Sequence, residues 1–194
     1  MEKTRKIDAV TLTKLAMCTA LLCVSAFISF PLPFTPIVIT AQTIILNLIA
    51  LILTPKQSLI VVGVYILLGI CGLPVFAGGT AGFGRLFGPT GGFIIGFLAV
   101  APLISLLKGK NNSFFRYLLV TVCVGMPVLY AFGTVVMCIV TKNTIGGALM
   151  AAVVPFILGD VLKCLLAAYL AKILNKVLAK KFAKKPVKLQ TEKQ

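Results

Sequence analysis

Six long apolar runs, separated by short turn-forming segments, constrain the fold of this chain more than any other feature. They cover residues 12–30, 37–53, 57–71, 90–107, 117–140 and about 147–171. A helix of about 20 apolar residues crosses the hydrocarbon core of a bilayer. None of the runs alternates apolar and polar residues, as the strands of a membrane β-barrel do. We therefore predict an all-α integral membrane protein with six transmembrane helices, the third of them short.

Composition excludes several classes of function. Histidine is absent, and the six cysteines form no CxxC pair, so neither an imidazole base nor a zinc or disulfide framework is predicted. The acidic residues are Glu2, Asp8, Asp160 and Glu192. Because Asp160 alone lies inside an apolar run, no catalytic carboxylate pair and no metal site is predicted. The net charge of +15 falls at the ends of apolar runs, which argues against a nucleic-acid partner.

The positive charges predict the orientation of the spans. With six spans, sixteen of the nineteen Lys and Arg residues fall on one side, and Arg85 and Lys142 on the other. Lys163 lies within the sixth span. Because cytoplasmic loops are enriched in Lys and Arg, we expect both termini to lie on the cytoplasmic side of the cell (plasma) membrane. We predict one membrane domain over residues 1–182 and a disordered, Lys-containing tail over 183–194. The Lys-rich region from Lys172 onward is expected to contact anionic lipids.

The connection between the third and fourth spans, residues 72–89, is unusually long and apolar. Six of its residues are glycine, which permits positive φ and close approach of a ligand to the backbone. Irregular backbone near membrane depth needs cover from protein or a water-filled cavity. We therefore predict a structured lid or pocket wall on the external side, with a turn-rich connector as the alternative. Its glycine spacing resembles a P-loop, but Arg85 and Leu86 replace the required Lys and Ser/Thr.

Asp160 and Lys163 lie inside the sixth apolar run. A charge within a membrane segment is costly and marks a functional candidate, and a spacing of three residues places both on one helix face. Either they form only a structural ion pair, or they line a polar pocket. Arg85 is a third candidate, because its planar guanidinium suits carboxylate and ureido groups, unless it only reaches toward the interface. Gln42 and Thr35 could add neutral hydrogen bonds or merely contact the interface.

Small residues recur at helical spacing in two spans. Gly88, Gly92 and Gly96 lead into the fourth span, where such a row allows close helix packing within the chain. In the first span, Ala16 and Ala20 lie one turn apart. The alanine pair predicts either packing within this chain or a docking face for another membrane protein.

These residues resemble the BioY family, the biotin-specific substrate-binding (S) components of energy-coupling factor (ECF) transporters. The resemblance covers most of the chain. Its strongest block is GLPVFAGG at residues 72–79, which continues through Gly82 to GPTGGF at residues 88–93. A second block joins Pro155-Phe156 to GDVLK at residues 159–163. Pro33, Thr35 and Gln42 match the family's Pro/Thr/Gln segment more loosely.

The resemblance implies the six-helix S-component fold, with an external biotin pocket closed by the loop between helices three and four. It implies that Asp160 contacts the ureido N–H groups, while Arg85 or Lys163 contacts the ureido oxygen or the valerate carboxylate. Phe76 and Phe83 would pack on the bicyclic ring. The substrate-binding residues implied or considered are thus Arg85, Asp160, Lys163, Gln42, Thr35, Phe76, Gly78, Gly79 and Phe83.

The resemblance also implies a division of labour among subunits. Ala16 and Ala20 match the AxxxA motif through which S components dock on the ECF transmembrane coupling subunit, and two ABC ATPases supply the energy. No cofactor is implied, and biotin is the transported ligand. In the implied mechanism the S component captures the vitamin outside, rotates within the membrane and releases it inside. From the residues alone, the alternative is a proton-coupled secondary carrier of a small organic anion, with Asp160 as the protonatable group.

Overall fold

The computed structural model describes residues 8–31, 37–142 and 144–183, with side chains up to residue 179. The helices are α1 Ala9–Val24, α2 Gln42–Ile52, α3 Pro55–Ile70, α4 Gly91–Leu107, α5 Phe114–Val120, α6 Met126–Thr141, α7 Ile145–Ala152 and α8 Ile157–Ala183. Short 3₁₀ turns cover Ser25–Phe27 and Phe83–Phe87, and a π-helical turn, Thr121–Gly125, joins α5 to α6. Two short antiparallel strands, β1 Ser29–Phe30 and β2 Ile39–Thr40, pair with each other.

The helices run back and forth between two ends of one bundle. At one end, which we call the loop end, the Gly82 amide donates to the Gly69 carbonyl at the close of α3 (2.8 Å). At the other, which we call the Lys108 end, the Lys108 ammonium reaches the last carbonyls of α2. The Asn175 side chain, late in α8, donates to the Leu51 carbonyl at the same end. Helices α2, α3 and α4 therefore alternate in direction along the chain.

Several helices are long and apolar enough to cross a membrane. Ala9–Phe27 and Phe114–Thr141 qualify by length and composition, and the bent pair Ile145–Ala152 with Ile157–Ala179 qualifies as a third segment. Helices α2, α3 and α4 are apolar but shorter. At 1.5 Å per residue, α2 is only about 16 Å long. The chain is thus a helical membrane protein, and the number of complete crossings stays a prediction.

The predicted packing of the glycine row is confirmed for two of its members. A Cβ atom added at Gly92 would lie 2.2 Å from the Phe132 carbonyl oxygen, and one at Gly96 would lie 3.2 Å from Leu129. Both neighbours belong to α6, so α4 and α6 approach each other where these side chains are absent. Gly88 precedes α4 and meets only backbone of its own turn. The row therefore serves packing within the chain.

Proline explains where the structure departs from the uninterrupted apolar runs. In the first apolar run, 12–30, the α-helix ends at Val24. The two strands of the small sheet lie before and after a Pro-rich segment that begins at Pro31. The sixth run is broken between α7 and α8 around Pro155, with a bend of 51°. The π-helical turn ends two residues before Pro127, whose missing N–H removes one helical donor. Hydropathy predicted the helices but not the breaks within them.

The segment 72–89 is folded onto the loop end of the bundle. The backbones of Phe76 and Thr80 exchange two hydrogen bonds of 2.9 and 3.2 Å across a turn whose glycines, Gly78 and Gly79, have φ of +74° and +68°. The Phe76 ring is 1% exposed and fills a notch that only a glycine leaves open, since a Cβ at Gly69 would lie 2.2 Å from its Cζ. One apolar side chain thus anchors the segment on α3.

Candidate ligand-binding pocket

A cavity of about 710 Å³, counted with its open mouth, lies at the loop end of the bundle. Side chains from α2, α4, α6, α7 and α8, from β2 and from the segment 72–89 contribute to its walls. The lining consists of Ile37, Val38, Ile39, Thr40, Gln42, Thr43, Phe76, Ala77, Thr80, Arg85, Thr90, Phe93, Ile94, Phe97, Leu129, Tyr130, Ala152, Phe156, Asp160 and Lys163.

A three-residue polar cluster forms one wall of the cavity. The Lys163 ammonium donates to Asp160 Oδ1 at 2.9 Å, and the Tyr130 hydroxyl donates to Asp160 Oδ2 at 2.6 Å. The Lys163 and Asp160 side chains are only 14% and 12% exposed. Each carboxylate oxygen has two lone pairs, so each can still accept one hydrogen bond from a ligand. The structural and the functional interpretations of this ion pair are therefore compatible.

Arg85 brings a third charge to the same cavity. It lies in the 3₁₀ turn Phe83–Phe87 and is half-buried. Its guanidinium has no hydrogen-bond or ion-pair partner among the residues that the structure describes. A half-buried guanidinium with free donors is suited to an anionic group that enters from outside the chain.

Gln42 lies in the wall, where it ties the segment 72–89 to the helices. It is 2% exposed, and its amide nitrogen donates to the Tyr65 hydroxyl at 2.7 Å and to the Val75 carbonyl at 3.1 Å. The Tyr65 ring in turn contacts Phe76 edge to face at 5.7 Å. Both N–H donors of Gln42 are therefore committed within the chain, and only its oxygen is left for a ligand.

The chain is identified through three kinds of comparison. Residues 1–180 match the model of the BioY family. The chain belongs to the BioY family. A biotin transporter BioY of Thermotoga maritima is 40% identical over 152 residues, which cover 78% of this chain and 88% of the relative. The biotin transporter BioY2 of Lactococcus lactis is 32% identical over 159 residues, covering 80% of this chain and 84% of the relative.

The fold comparison agrees with the family. A crystal structure of the S-component for biotin from an ECF-type ABC transporter matches with a TM-score of 0.80 and 29% identity, and the match covers 91% of this chain and 95% of that one. The resemblance stated from the sequence is confirmed. As a BioY-family member this chain is a transport protein of the membrane and not an enzyme. Among the described residues, no three His, Cys, Asp or Glu side chains could hold a metal ion together.

The structure brings most of the residues expected from the BioY resemblance into one cavity. Arg85, Asp160, Lys163, Gln42 and Phe76 all line it. They come from positions far apart in the chain, and the bundle places them at one end. The resulting wall combines two cations, one carboxylate and aromatic surface, and it can bind a small amphipathic anion.

Other expected residues lie elsewhere. Gly78 and Gly79 form the turn behind Phe76 and do not line the cavity. Phe83 is 60% exposed, and its ring packs on Phe87 at 5.1 Å instead of facing the cavity. Thr35 lies outside the described residues.

Sequence reasoning missed several polar residues of the pocket, among them Tyr130 and Thr43. Tyr130 lies inside an apolar run and gives no local signal, since its partner Asp160 is 30 residues away. Thr43 follows Gln42 directly, and its hydroxyl oxygen is buried without a hydrogen-bond partner among the described residues. A hydroxyl beside a predicted polar position was a signal that could have been used.

The alanine pair of the first helix points away from the bundle. Ala16 and Ala20 are exposed, whereas Leu15, Thr19 and Leu22 form the buried face of α1. Packing of the alanines within the described part of the chain is therefore not the reason for their spacing. Their small side chains leave a flat strip on which another helix could lie closely.

Proposed function

We propose that this chain captures biotin at its loop end and takes it across the membrane as the substrate-binding subunit of an ECF-type transporter. One observation carries the proposal: the Asp160–Lys163 pair shares an apolar cavity with the Arg85 guanidinium, which has no partner among the described residues. Biotin offers a ureido group with two N–H donors and one carbonyl, an apolar bicyclic ring and a carboxylate. The cavity supplies an acceptor, cationic donors and aromatic walls to match.

We assign the two cations to opposite ends of the ligand. Lys163 lies 2.9 Å from Asp160, so both face the same part of the ligand. A ureido group needs an acceptor and a donor side by side, which this pair provides. Arg85 belongs to another segment and has its donors free, and its planar fork suits a carboxylate. Arg85 is therefore assigned to the valerate carboxylate.

Calorimetric titration of the purified protein in detergent with biotin tests the site. Asp160→Asn and Arg85→Ala should each weaken binding by at least about tenfold, or about 1.4 kcal/mol. Asp8→Asn and Lys142→Ala make the same changes of charge outside the cavity and should leave the affinity unaltered. Tight binding by all four variants would refute the site, and no binding by folded wild-type protein would refute the substrate.

Biotinamide tests the assignment of the cations, because it lacks the ligand's negative charge. If Arg85 binds the carboxylate, Arg85→Ala weakens biotin strongly and biotinamide little, while Lys163→Met weakens both ligands alike. The reverse pattern would assign Lys163 to the carboxylate. Titration of the two ligands with the three proteins gives the coupling energy between each cation and the carboxylate.

A proton-coupled carrier finds less support in this geometry. Asp160 is bonded to both Lys163 and Tyr130, and the other carboxylate among the described residues is Asp8, at the start of the chain. A relay needs successive titratable groups, and the cavity contains one carboxylate. Biotin binding to detergent-solubilised protein, where no proton gradient exists, would separate the two functions.

We further propose six membrane crossings, with both termini in the cytoplasm and the loop end outside. The bias of positive charge supports this orientation. It is tested by a membrane-impermeant maleimide on intact cells, with single cysteines placed in a cysteine-free chain. A cysteine at position 142 should be labelled from outside, and one at position 110 only after the membrane is opened. The opposite pattern would invert the topology.

Docking on an ECF coupling subunit, powered by two ABC ATPases, completes the proposal. The exposed strip of Ala16 and Ala20 is the docking face. Ala16→Leu with Ala20→Leu should abolish co-purification with the coupling subunit and leave biotin binding to the isolated chain intact. Val10 and Leu21 are also exposed on α1, about 100° or more around the helix from the midpoint of the alanine pair, and Val10→Ala with Leu21→Ala is the control for changes elsewhere on this surface. If the coupling subunit co-purified equally with both double variants, the alanine face of α1 would not be part of the interface.

A further inference from the structure

A second concave surface lies on the outside of the bundle, away from the biotin pocket. This groove, of about 550 Å³, runs between the α5–π segment and α8. Its walls are formed by Phe115, Leu118, Leu119, Val122, Cys123, Val161 and Leu165. Every lining side chain is apolar or a thiol, and the groove opens outward. In a membrane protein such a surface meets acyl chains or another apolar helix.

The helix that forms one wall of the groove becomes basic toward the Lys108 end. At 100° per residue, Lys172 and Lys176 lie within about 20° of the direction of Leu165. Both lysines are exposed. The Asn112 side chain, two residues before α5, donates to the Lys172 carbonyl at 2.9 Å. Lys172 therefore lies where the groove meets the α4–α5 connection.

Apolar walls that lead to a basic end match the chemistry of one class of molecule. We infer that the groove between α5 and α8 binds a phospholipid with an anionic headgroup, its acyl chain along Leu119, Val122 and Leu165 and its phosphate at Lys172 and Lys176. A Lys near an anionic lipid surface strengthens attraction to that surface. A neighbouring apolar helix would use the groove but would have no need of the lysines at its end. This site is distinct from the tail beyond residue 183.

The absence of tryptophan from the chain makes the inference easy to test, because one introduced tryptophan reports alone. Phe115→Trp places the reporter in the groove, where the native ring is 73% exposed. Leu106→Trp is the matched control. Leu106 is 68% exposed and outside the groove, and it lies at similar depth because the adjacent Leu107 carbonyl bonds Arg116. Both proteins are placed in bilayers that contain brominated phosphatidylglycerol or brominated phosphatidylcholine, whose bromines quench tryptophan on contact.

The groove reporter should be half-quenched at an at least about fivefold lower mole fraction of phosphatidylglycerol than of phosphatidylcholine. The control reporter should show no preference. Adding Lys172→Gln and Lys176→Gln should abolish the preference at the groove, while Lys56→Gln with Lys142→Gln, which removes the same charge elsewhere, should leave it.

Two results would overturn the inference. Equal quenching of the groove reporter by both lipids would leave the lysines without a role in lipid selection. If neither lipid quenches the groove reporter while both quench the control reporter, a protein segment and not a lipid covers the groove. A biotin titration of each reporter protein confirms that the chain remains folded.

Discussion

The two ends of the bundle each hold a partly buried lysine, and the two lysines are compensated in different ways. Lys163 at the loop end lies 2.9 Å from a carboxylate and faces an open cavity. Lys108 at the other end donates to the Ala50 and Leu51 carbonyls at 3.2 and 2.9 Å, and also to Leu53. A charge paired with one side chain beside a cavity can take a further partner. A charge held by the carbonyls that end a helix serves that helix.

The surroundings of the two lysines strengthen the contrast. At the Lys108 end, the Ser105 hydroxyl also donates to the Leu53 carbonyl, and the Asn175 amide joins the Leu51 carbonyl to the Tyr117 hydroxyl. Donors from α4, α8 and the α4–α5 connection thus satisfy the end of α2, which is otherwise surrounded by apolar side chains. At the loop end, acceptor sites on Asp160 and donors on Arg85 have no partner among the residues that the structure describes. Unused hydrogen-bonding capacity, more than burial of charge, distinguishes the candidate site.

Replacing Lys163 should produce the largest effect. Lys163→Met leaves the Asp160 carboxylate without its cation and removes a ligand donor, which should cost about 2–5 kcal/mol of biotin binding. Calorimetry of the variant in detergent measures the loss. If Lys108→Met weakened biotin by as much, the distinction between the two ends would fail.

Each end of the bundle also has one tyrosine hydroxyl in a hydrogen bond, Tyr130 at the loop end and Tyr117 at the Lys108 end. Tyr130→Phe removes a donor to the Asp160 carboxylate, and the loss of a hydrogen bond to a charged group costs about 1.5–3 kcal/mol. Tyr117→Phe removes the hydroxyl that Asn175 contacts at the opposite end. The first should weaken biotin by tenfold or more in a titration, at about 1.4 kcal/mol per tenfold, and the second should leave the affinity unchanged. If both variants bound biotin with equal affinity, Tyr130 would have no role in binding.

Substitutions at two glycines of α3 test the role of Phe76, which anchors the segment 72–89, against an ordinary position on the helix surface. Gly69→Ala would push a methyl group into the Phe76 ring, and overpacking of this kind costs about 1–3 kcal/mol of stability. Gly63→Ala meets nothing within 4 Å and should be neutral or slightly stabilising. Thermal unfolding in detergent, with and without biotin, measures both. We expect Gly69→Ala also to weaken biotin, since Phe76 lines the cavity; a variant as stable and as tight as wild type would contradict the anchor.

Replacing Lys108 should produce the smallest effect, and on stability alone. Lys108→Met removes one of three donors from the end of α2, for a loss of about 1.5 kcal/mol, with the biotin affinity unchanged. Lys108→Arg keeps the charge and the donors and should retain most of the stability. Thermal unfolding compares the three proteins, and an unaltered midpoint for Lys108→Met would show that water replaces the ammonium.

Local patterns predicted the parts of the site that lie within one segment. Asp160 and Lys163 share one helix and stand out in an apolar run, and Arg85 stands out in a glycine-rich loop. The pairing of Tyr130 with Asp160 joins α6 to α8, and no spacing within either helix encodes it. Lys108 counted in the sequence only as a charge that sets topology. Its role at the end of α2 depends on a contact with residues more than fifty positions earlier.

For the fold, too, the sequence predicted the individual helices better than the contacts between distant segments. Apolar runs predicted a helical membrane protein, and the spacing of Gly92 and Gly96 predicted a close helix pair. The sheet of Ser29–Phe30 with Ile39–Thr40 was not predicted, because four strand residues within apolar runs look like helix ends. Phe83 shows the limit of hydropathy in a membrane protein, where an exposed ring is as well solvated by lipid as a buried one by protein.

The charges of the pocket have a consequence for energetics during transport. Asp160, Lys163 and Arg85 together carry one positive charge, and the carboxylate of biotin would cancel it. Moving one elementary charge through 100 mV changes the free energy by about 2.3 kcal/mol. The loaded site would carry no net charge, so its movement across the bilayer would be insensitive to the resting voltage, and the empty site alone would feel the field on its return.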